Sequence, residues 1–211
     1  MKVAASILSA KDRIICIKKL NRTNLDYFHI DVMDGEFVNN YQMPPREVRE
    51  ITSYAKKPLD IHLMVENPIE YIEELQNLNV EYITFHIEVL HNIEELINKC
   101  KELNYKVGLA IKPNTNINEL KPYLKYIDLI LVMSVEPGFG GQKFIENTIA
   151  RIEKIIKMLI KNKCENILIE VDGGINDTNI KSLIDAKVDI AVSGSYIVNS
   201  SNYQNQIDTL R

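Results

Sequence analysis

The 211-residue sequence contains few cysteines and no cysteine pair of the kind that redox or metal motifs use. Cys16, Cys100 and Cys164 are odd in number and widely spaced, with no Cys-x-x-Cys. This pattern is typical of reduced, buried thiols and argues against a disulfide framework. The expected compartment is therefore a reducing one, with the cytoplasm as the default.

Long apolar runs and an excess of positive charge are also missing. The longest plain apolar run covers residues 129–135, interrupted only by Ser134, whereas a bilayer crossing needs roughly 20 residues. The N-terminal residues show no extended apolar segment and no small-residue cleavage site, so we expect no secretory signal. A net charge of −4, with both signs interspersed, gives no footprint for nucleic acid or an anionic membrane. We expect neither as a partner.

The composition is that of a globular domain, with 45% hydrophobic and 26% charged residues. A chain of this length buries roughly 70% of the surface that its unfolded form exposes, so it needs no disulfide or structural metal. No linker, charge block or change of composition interrupts the sequence. We predict one domain over residues 1–211.

Eight short β-branched or aliphatic runs alternate with amphipathic stretches along the whole chain. The runs cover residues 3–8, 27–32, 59–65, 82–87, 106–111, 129–134, 167–171 and 188–192. Strands separated by helical stretches form parallel sheets, because a parallel return needs a crossover of about a dozen residues. Eight such units exceed the five or six strands usual in an open doubly wound sheet. The sequence therefore predicts a (β/α)₈ TIM barrel.

Helix starts are marked by an asparagine followed three residues later by a glutamate, the pattern of a reciprocal cap. The pairs are Asn67 with Glu70, Asn92 with Glu95, and Asn116 with Glu119. Pro68 occupies the position after Asn67, where proline suits a first helical turn. A helix is also indicated by isoleucine and leucine at spacings of three and four from 145 to 159.

Two histidines and a carboxylate are predicted to face the barrel interior. The period of two along a strand places His29, Asp31 and Met33 on one face, and His62 and Met64 on the corresponding face of the next predicted strand. A single strand histidine is more often a hydrogen-bonded structural residue. Two imidazoles and a carboxylate buried together, however, favour a divalent cation that shares their lone pairs.

A second carboxylate lies at the end of the seventh predicted strand. Asp172 falls at the C-terminal face on which barrel active sites are built, although Asp before two glycines is also a common turn. Glu170, two residues earlier, competes for the same face. The candidate metal ligands are therefore His29, Asp31, His62 and Asp172.

Glycines occupy the loops from which barrels make phosphate sites. Gly173 and Gly174 follow the seventh predicted strand, and Gly194-Ser195 follows the eighth. The segment Glu136-Pro137-Gly138-Phe139-Gly140-Gly141-Gln142 reads either as a long surface loop or as a loop that closes over a ligand. Met33, Met64 and Met133 would surround the same mouth, either as plain core or as an apolar wall around a reactive carbanion.

The whole chain resembles the ribulose-phosphate 3-epimerase family. The motifs that carry the resemblance are Ala5-Ser6-Ile7-Leu8-Ser9, His29-Ile30-Asp31-Val32-Met33-Asp34-Gly35, His62-Leu63-Met64-Val65, the segment from Val132 to Phe144, Val171-Asp172-Gly173-Gly174-Ile175 and Val192-Ser193-Gly194-Ser195.

The resemblance implies a ribulose-phosphate-binding type of barrel that interconverts D-ribulose 5-phosphate and D-xylulose 5-phosphate, a step of the pentose phosphate pathway. It implies one divalent ion on the four candidate ligands and proton transfer by Asp31 and Asp172. Ser6 and His62 would contact the substrate, and Gly138, Phe139, Gly140 and Gly141 would cover it. Gly173, Gly174, Gly194 and Ser195 would hold its phosphate.

The ligand types suit Zn²⁺, Fe²⁺, Mn²⁺ or Co²⁺ without discriminating among them. We expect a small-molecule ketose phosphate as the ligand and a homo-oligomer as the assembly.

The chain departs from the family at Ala5, where a proline is common, at Glu36 and over residues 39–43, which affects the shape of the sugar pocket. Other functions stay open at this level. A hexulose 6-phosphate 3-epimerase needs the same groups, and a sugar-acid phosphate decarboxylase would want a Lys near the metal, which the strand-two motif does not offer. A non-catalytic phosphosugar-binding barrel would not need both carboxylates.

Overall fold

The sheet closes on itself because its first strand pairs with both the second strand and the last. In the computed structural model, which describes residues 1–89 and 92–211, β1 (Lys2–Ser6) is parallel to β2 (Tyr27–Asp34) and to β9 (Ile190–Ser193). The remaining parallel pairs follow in chain order around the ring. Eight parallel strands of the described chain therefore make the predicted TIM barrel, and that prediction is confirmed.

After β2 a short strand intervenes, and strands and helical segments then alternate along the chain up to β9. The further strands are β3 (Tyr41–Gln42), β4 (Leu59–Met64), β5 (Val80–His86), β6 (Lys106–Ile111), β7 (Leu129–Met133) and β8 (Leu168–Asp172). The helices are α1 (Arg13–Leu20), α2 (Pro45–Thr52), α3 (Pro68–Glu74), α4 (Ile93–Glu102), α5 (Asn147–Asn162), α6 (Ile180–Asp185), α7 (Ser195–Val198) and α8 (Tyr203–Asp208), and a 3₁₀ helix covers Ile117–Tyr123. No helix in the described parts of the chain combines the length and the apolar character needed to cross a membrane.

Two elements differ from the prediction. The two-residue strand β3 pairs antiparallel with the end of β2, joining Met33 to Gln42 and Asp34 to Tyr41. No alternating pattern marks so short a strand. The connection between β6 and β7 is a 3₁₀ helix rather than an α-helix, and it contains Pro122, whose missing N–H removes an α-helical hydrogen bond.

The three asparagines begin helical segments as predicted, but the reciprocal caps do not form. Asn92 accepts from the Glu94 backbone N–H and Asn116 accepts from the Asn118 N–H, each two residues ahead rather than three. Asn67 donates through its side chain to Glu70 instead of capping the backbone. The asparagines thus satisfy free N–H groups at two helix starts, while the glutamates do not return the bond.

The strands are buried on both faces. Outward side chains such as Ile30 and Val32 pack beneath the helices, while inward side chains form a separate apolar plug inside the barrel. The plug contains Ala4, Tyr27, Tyr82, Ala110, Leu129, Leu131, Met133, Val135, Ile190 and Val192. Apolar packing fills the lower barrel, so the polar side chains of the predicted site lie above it.

Three aspartates that directly precede a strand accept a hydrogen bond from a backbone N–H of the neighbouring strand earlier in the chain. Asp26 accepts from the Val3 N–H, Asp128 from the Val107 N–H and Asp189 from the Ile169 N–H, each at 2.8 Å. Each aspartate stands directly before β2, β7 or β9. These bonds satisfy backbone donors at the bottom edge of the barrel, where the ladder ends.

We expect Asp189→Ala to lower the free energy of unfolding by about 1–2 kcal/mol, because it leaves the N–H of the buried Ile169 without its acceptor. Asp189→Asn should cost less, since an amide oxygen still accepts. Urea denaturation measures both, with the exposed Asp185→Ala as the matched control. Equal stability of Asp189→Ala and Asp185→Ala would contradict the role of this bond.

Candidate active site

The four predicted metal ligands come together inside the barrel, from within β2 and β4 and from the C-terminal end of β8. Ligand atoms of His29, Asp31, His62 and Asp172 all lie within 4.8 Å of one another. Asp31 Oδ1 is 3.4 Å from His29 Nε2 and 3.2 Å from His62 Nδ1. Asp172 Oδ2 is 4.0 Å and 3.9 Å from the same two nitrogens. Three buried strands thus hold two imidazoles and two carboxylates around one point.

The donor atoms of this cluster fit a divalent cation. His29 Nε2 is completely buried and has no hydrogen-bond partner among the described residues. Its other nitrogen, Nδ1, is 2.5 Å from Asp60 Oδ2, and a carboxylate there fixes the proton on Nδ1. The free nitrogen of His29 therefore faces Asp31 and Asp172. A buried unpaired nitrogen beside two carboxylates is the arrangement that a bound cation would satisfy.

The two carboxylates of the cluster differ in acidity. Burial raises the pKa of Asp31, but the nearby imidazoles of His29 and His62 outweigh burial and hold this pKa well below its usual range. Ser6 also donates to Asp31 Oδ2 at 2.7 Å. Burial and then the negative charge of Asp31 raise the pKa of Asp172 to about 6. At neutral pH Asp31 is ionised, and Asp172 lies close to its titration point.

A second layer of polar side chains lies one step deeper in the barrel. Asp60 and Glu170 are both fully buried, and Glu170 Oε1 is 3.9 Å from His29 Nδ1. Burial and the nearby charge of Asp60 raise the pKa of Glu170 well above its usual value. The alternation along β8 places Glu170 below Asp172 rather than in competition with it.

His86 and Glu88 border the cluster. The sequence analysis did not single them out. His86 Nε2 is 3.0 Å from His62 Nε2, and His86 Nδ1 is 2.9 Å from Glu88 Oε2. Burial lowers the pKa of His86 to about 4 against the opposing effect of Glu88. Burial raises the pKa of Glu88, but its hydrogen bonds from His86 and Thr115 bring it down to about 2. The signal that would have shown His86 facing inward is its alternation with Thr84 at the end of β5, and Glu88 follows two residues later in the turn after this strand.

Above the cluster lies a cavity that opens to solvent. It is lined by every predicted substrate residue except His62, namely Ser6, Met33, Met64, Met133, Gly138, Phe139, Gly140, Gly141, Asp172, Gly173, Gly174, Gly194 and Ser195. His62 lies beneath the floor and is fully buried. Leu8, Ser9, Val135 and Ile175 also line the cavity and were not predicted.

Comparison with known proteins identifies the family. The profile described as the ribulose-phosphate 3 epimerase family matches residues 2–198. The chain belongs to the ribulose-phosphate 3-epimerase family. The ribulose-phosphate 3-epimerase of Helicobacter pylori strain J99 is 39% identical over 100% of this chain and 97% of the relative. That of Bacillus subtilis strain 168 is 35% identical over 100% and 98%. The prediction of an epimerase, an isomerase-class enzyme of this family, is confirmed.

Solved structures of other enzymes share the fold at low identity. The crystal structure of 3-hexulose-6-phosphate synthase matches with a TM-score of 0.71 and 12% identity, covering 100% of this chain and 98% of the other. KGPDC from Streptococcus mutans matches with a TM-score of 0.72 and 11% identity, covering 99% and 94%. At such identities these matches show the barrel alone.

In this member of the ribulose-phosphate 3-epimerase family, the segment over residues 39–43 contacts the glycine-rich loop through Asn40. Asn40 donates through Nδ2 to the Gly138 carbonyl at 2.7 Å. Gln142 closes the loop on itself by donating to the carbonyls of Glu136 and Phe139. Asn40 therefore ties this segment to a loop that lines the cavity.

Gly174 lies directly against the backbone at the end of this loop. Its φ is +66°, and a Cβ there would lie 2.5 Å from the Phe144 nitrogen and 2.7 Å from the Gln142 oxygen. Gly141 has a similar φ of +75° but open space around a Cβ. Gly174 and Gly141 therefore share a left-handed backbone, but only Gly174 has no room for a side chain.

We expect Gly174→Ala to lower the free energy of unfolding by about 1–3 kcal/mol more than Gly141→Ala. Both substitutions carry the cost of a left-handed backbone, but only Gly174→Ala forces the loop backbone to move. Thermal and urea unfolding of the two variants beside the parent protein measures the difference. Equal losses would show that residues 142–144 shift without cost.

Proposed function

We propose that the chain interconverts D-ribulose 5-phosphate and D-xylulose 5-phosphate by removing and returning the proton on C3. The observation that carries the proposal is the meeting of Asp31 and Asp172 at one ligand cluster below the cavity. The two carboxylates come from β2 and β8, which are not neighbours in the barrel. A substrate between them could have one carboxylate above C3 and the other below it.

His29, Asp31, His62 and Asp172 are the residues that would hold a divalent metal ion. Mixed nitrogen and oxygen donors suit Zn²⁺, Fe²⁺, Mn²⁺ or Co²⁺. When bound, the ion would stabilise the negative charge that develops on the substrate oxygens as C3 loses its proton. The unpaired His29 Nε2 supports this assignment.

Asp31 and Asp172 would exchange the roles of base and acid with the direction of reaction. Asp31 is ionised at neutral pH and held in place by the Ser6 hydroxyl, so it is ready to accept a proton. Asp172, with a pKa of about 6, both takes and gives a proton near neutral pH. Each carboxylate would serve one face of C3.

The apolar wall of the cavity would keep water and other proton donors away from C3 after it has lost its proton. Met33 and Met64 are adjacent in register on β2 and β4, and Met133 lies beside Asp172 on β7 and β8. Their thioether side chains line the cavity and offer no acidic proton. They exclude water without supplying a competing donor.

The phosphate would lie at the loops after β8 and β9. Gly173 and Gly174 on one loop and Gly194 and Ser195 on the other line the same end of the cavity. Backbone N–H groups of glycine-rich loops bind phosphate without a cationic side chain. The glycines allow the backbone to approach the phosphate oxygens.

The cytoplasm is the proposed location, supported by three cysteines that are free and buried. The expected homo-oligomer stays a prediction.

We expect Asp172→Asn to reduce epimerisation by roughly 10² or more, the usual scale for loss of a general acid or base. An Asn oxygen can still occupy the ligand position. Asp31 should therefore continue to exchange the C3 proton of one epimer with deuterated solvent, while the other epimer exchanges far less. A coupled turnover assay and NMR detection of deuterium at C3 measure the two effects.

The exposed Asp177→Asn in the same loop is the matched control and should behave as the parent protein. Equal exchange of both epimers by Asp172→Asn, or near-normal turnover with metal bound, would show that one group serves both faces. Loss of turnover on chelation tests the metal itself. Assaying the parent protein on allulose 6-phosphate beside ribulose 5-phosphate tests the pentose assignment, and faster turnover of the hexulose phosphate would overturn it.

We expect Ser195→Asp to raise the KM for ribulose 5-phosphate by about tenfold or more, because a carboxylate beside the phosphate repels it. Tenfold corresponds to about 1.4 kcal/mol, within reach of one close charge pair. Metal affinity should not change. Steady-state kinetics compares the variant with the exposed Ser201→Asp. An unchanged KM in Ser195→Asp would move the phosphate to another loop.

A further inference from the structure

The loop over residues 136–142 has a single polar attachment to the rest of the molecule. Asn40 donates through Nδ2 to the Gly138 carbonyl at 2.7 Å. The side chain of Gln142 donates only within the loop, to the carbonyls of Glu136 and Phe139. Among the residues that the structure describes, no other hydrogen bond joins this loop to a different segment.

The loop lies on an apolar surface that continues the wall of the cavity. Val38 packs with Met33 and Met64 in one buried cluster. Gly138 has a φ of +118°, and a Cβ there would lie only 3.2 Å from Val38 Cβ. The loop backbone therefore reaches Val38 because residue 138 has no side chain. This close approach brings the Gly138 carbonyl within reach of Asn40.

The other side of the loop lies against the segment that follows β1. A Cβ on Gly140 would be 2.5 Å from Ser9 Oγ and 3.8 Å from Leu8 Cδ2. Leu8 and Ser9 line the cavity, as the loop itself does. The loop thus extends over the cavity from the segment after β2 to the segment after β1. Its hydrogen bond is made on the β2 side.

Asn40 itself belongs to a segment that several hydrogen bonds hold in place. Asp34 Oδ1 accepts from the backbone N–H groups of Glu36 and Phe37, each at 2.9 Å. The Asn40 N–H donates to the Val38 carbonyl at 2.7 Å, and the next two residues form β3 against the end of β2. Asn40 is therefore a donor in a fixed position, whereas its acceptor lies on a glycine-rich loop.

We propose that Asn40 is a positioning residue that holds the loop over residues 136–142 closed while the proton on C3 is transferred. The inference rests on the proposed function. A closed loop would keep water away from the reacting centre on the side that the methionine wall leaves open. One hydrogen bond is also weak enough to break each time a substrate enters.

The loss of this bond should act on turnover more than on binding. The proposed phosphate site lies on the loops after β8 and β9, at Gly173, Gly174, Gly194 and Ser195. Asn40 makes no hydrogen bond to these loops in the described parts of the chain. A substrate would therefore stay bound by its phosphate when the cover is loose. We expect a lower kcat with little change in KM.

Steady-state kinetics on ribulose 5-phosphate compares two substitutions of Asn40. Asn40→Ala removes the donor, and Asn40→Asp keeps the size of the side chain but turns only acceptors toward the Gly138 carbonyl. Both should lower kcat about three- to tenfold, the range that corresponds to one lost hydrogen bond, and KM of Asn40→Ala should change less than about twofold. Asn39→Asp, at the exposed neighbouring position, gives the effect of the added charge alone.

A fluorescent reporter on the loop measures its mobility without turnover. The sequence contains no tryptophan, and Phe139 is 58% exposed, so Phe139→Trp adds a single fluorophore to the loop. Its anisotropy should fall when Asn40→Ala or Asn40→Asp is added, because a loop without its hydrogen bond moves more freely on the nanosecond scale. The exposed Asn147→Ala at the start of α5 is the matched control and should keep the parental kcat and anisotropy. Thermal unfolding verifies that each variant is folded.

Four results would each overturn the inference. They are a parental kcat in Asn40→Ala, a raised KM with a parental kcat, an unchanged anisotropy, and a kcat in Asn40→Asp that equals that of Asn39→Asp. The last result would show that the size of the side chain matters and the hydrogen bond does not. A parent protein that does not convert ribulose 5-phosphate would instead overturn the proposed function, and the anisotropy would still decide whether Asn40 holds the loop.

Discussion

The burial of titratable groups at the top of the barrel is the constraint on which the site depends. His29 and His62 have no exposed surface, and Asp31 has only 5%. Charges removed from water are costly unless they are paired, so each of these groups needs a partner of the right polarity. Asp31 is a negatively charged partner for both imidazoles. A cation at the centre of the cluster would be the partner of the two carboxylates and of His29 Nε2.

The partners form layers around the cluster. Asp60 bonds to His29 from below, and His86 with Glu88 bonds to His62 from the side. In both cases the other ring nitrogen faces Asp31 and Asp172. The apolar plug beneath these layers keeps water out of the lower barrel and leaves the cavity as the route to the ligands.

The cavity itself is made by loops that the barrel holds close together. The loop over residues 136–142 is closed by Gln142 and tied to Asn40, and Gly174 passes directly beneath the backbone that follows it. The candidate metal ligands therefore lie on strands, whereas the residues proposed to hold the phosphate and to cover the substrate lie at loops. This division matches chemistry that needs fixed proton-transfer groups and a cover that admits the substrate.

Much of this could be predicted from the sequence. The period-two alternation in β2 and β4 places His29, Asp31 and His62 inside the barrel, because successive side chains of a strand point to opposite faces. Eight repeated strand and helix units likewise determine the barrel, since parallel strands require crossovers. The positions of Asp172 and of the glycines after β8 and β9 follow from the ends of the predicted strands.

Other features were decided only in three dimensions. The pairing of His86 with His62, the place of Glu170 beneath Asp172 and the strand β3 depend on register and on the height of neighbouring strands, which no local pattern encodes. The same holds for His62 lying under the cavity floor rather than in its wall. Sequence periodicity determines the face on which a side chain lies, but contact distances between strands arise only when the sheet closes and its packing fixes their relative height.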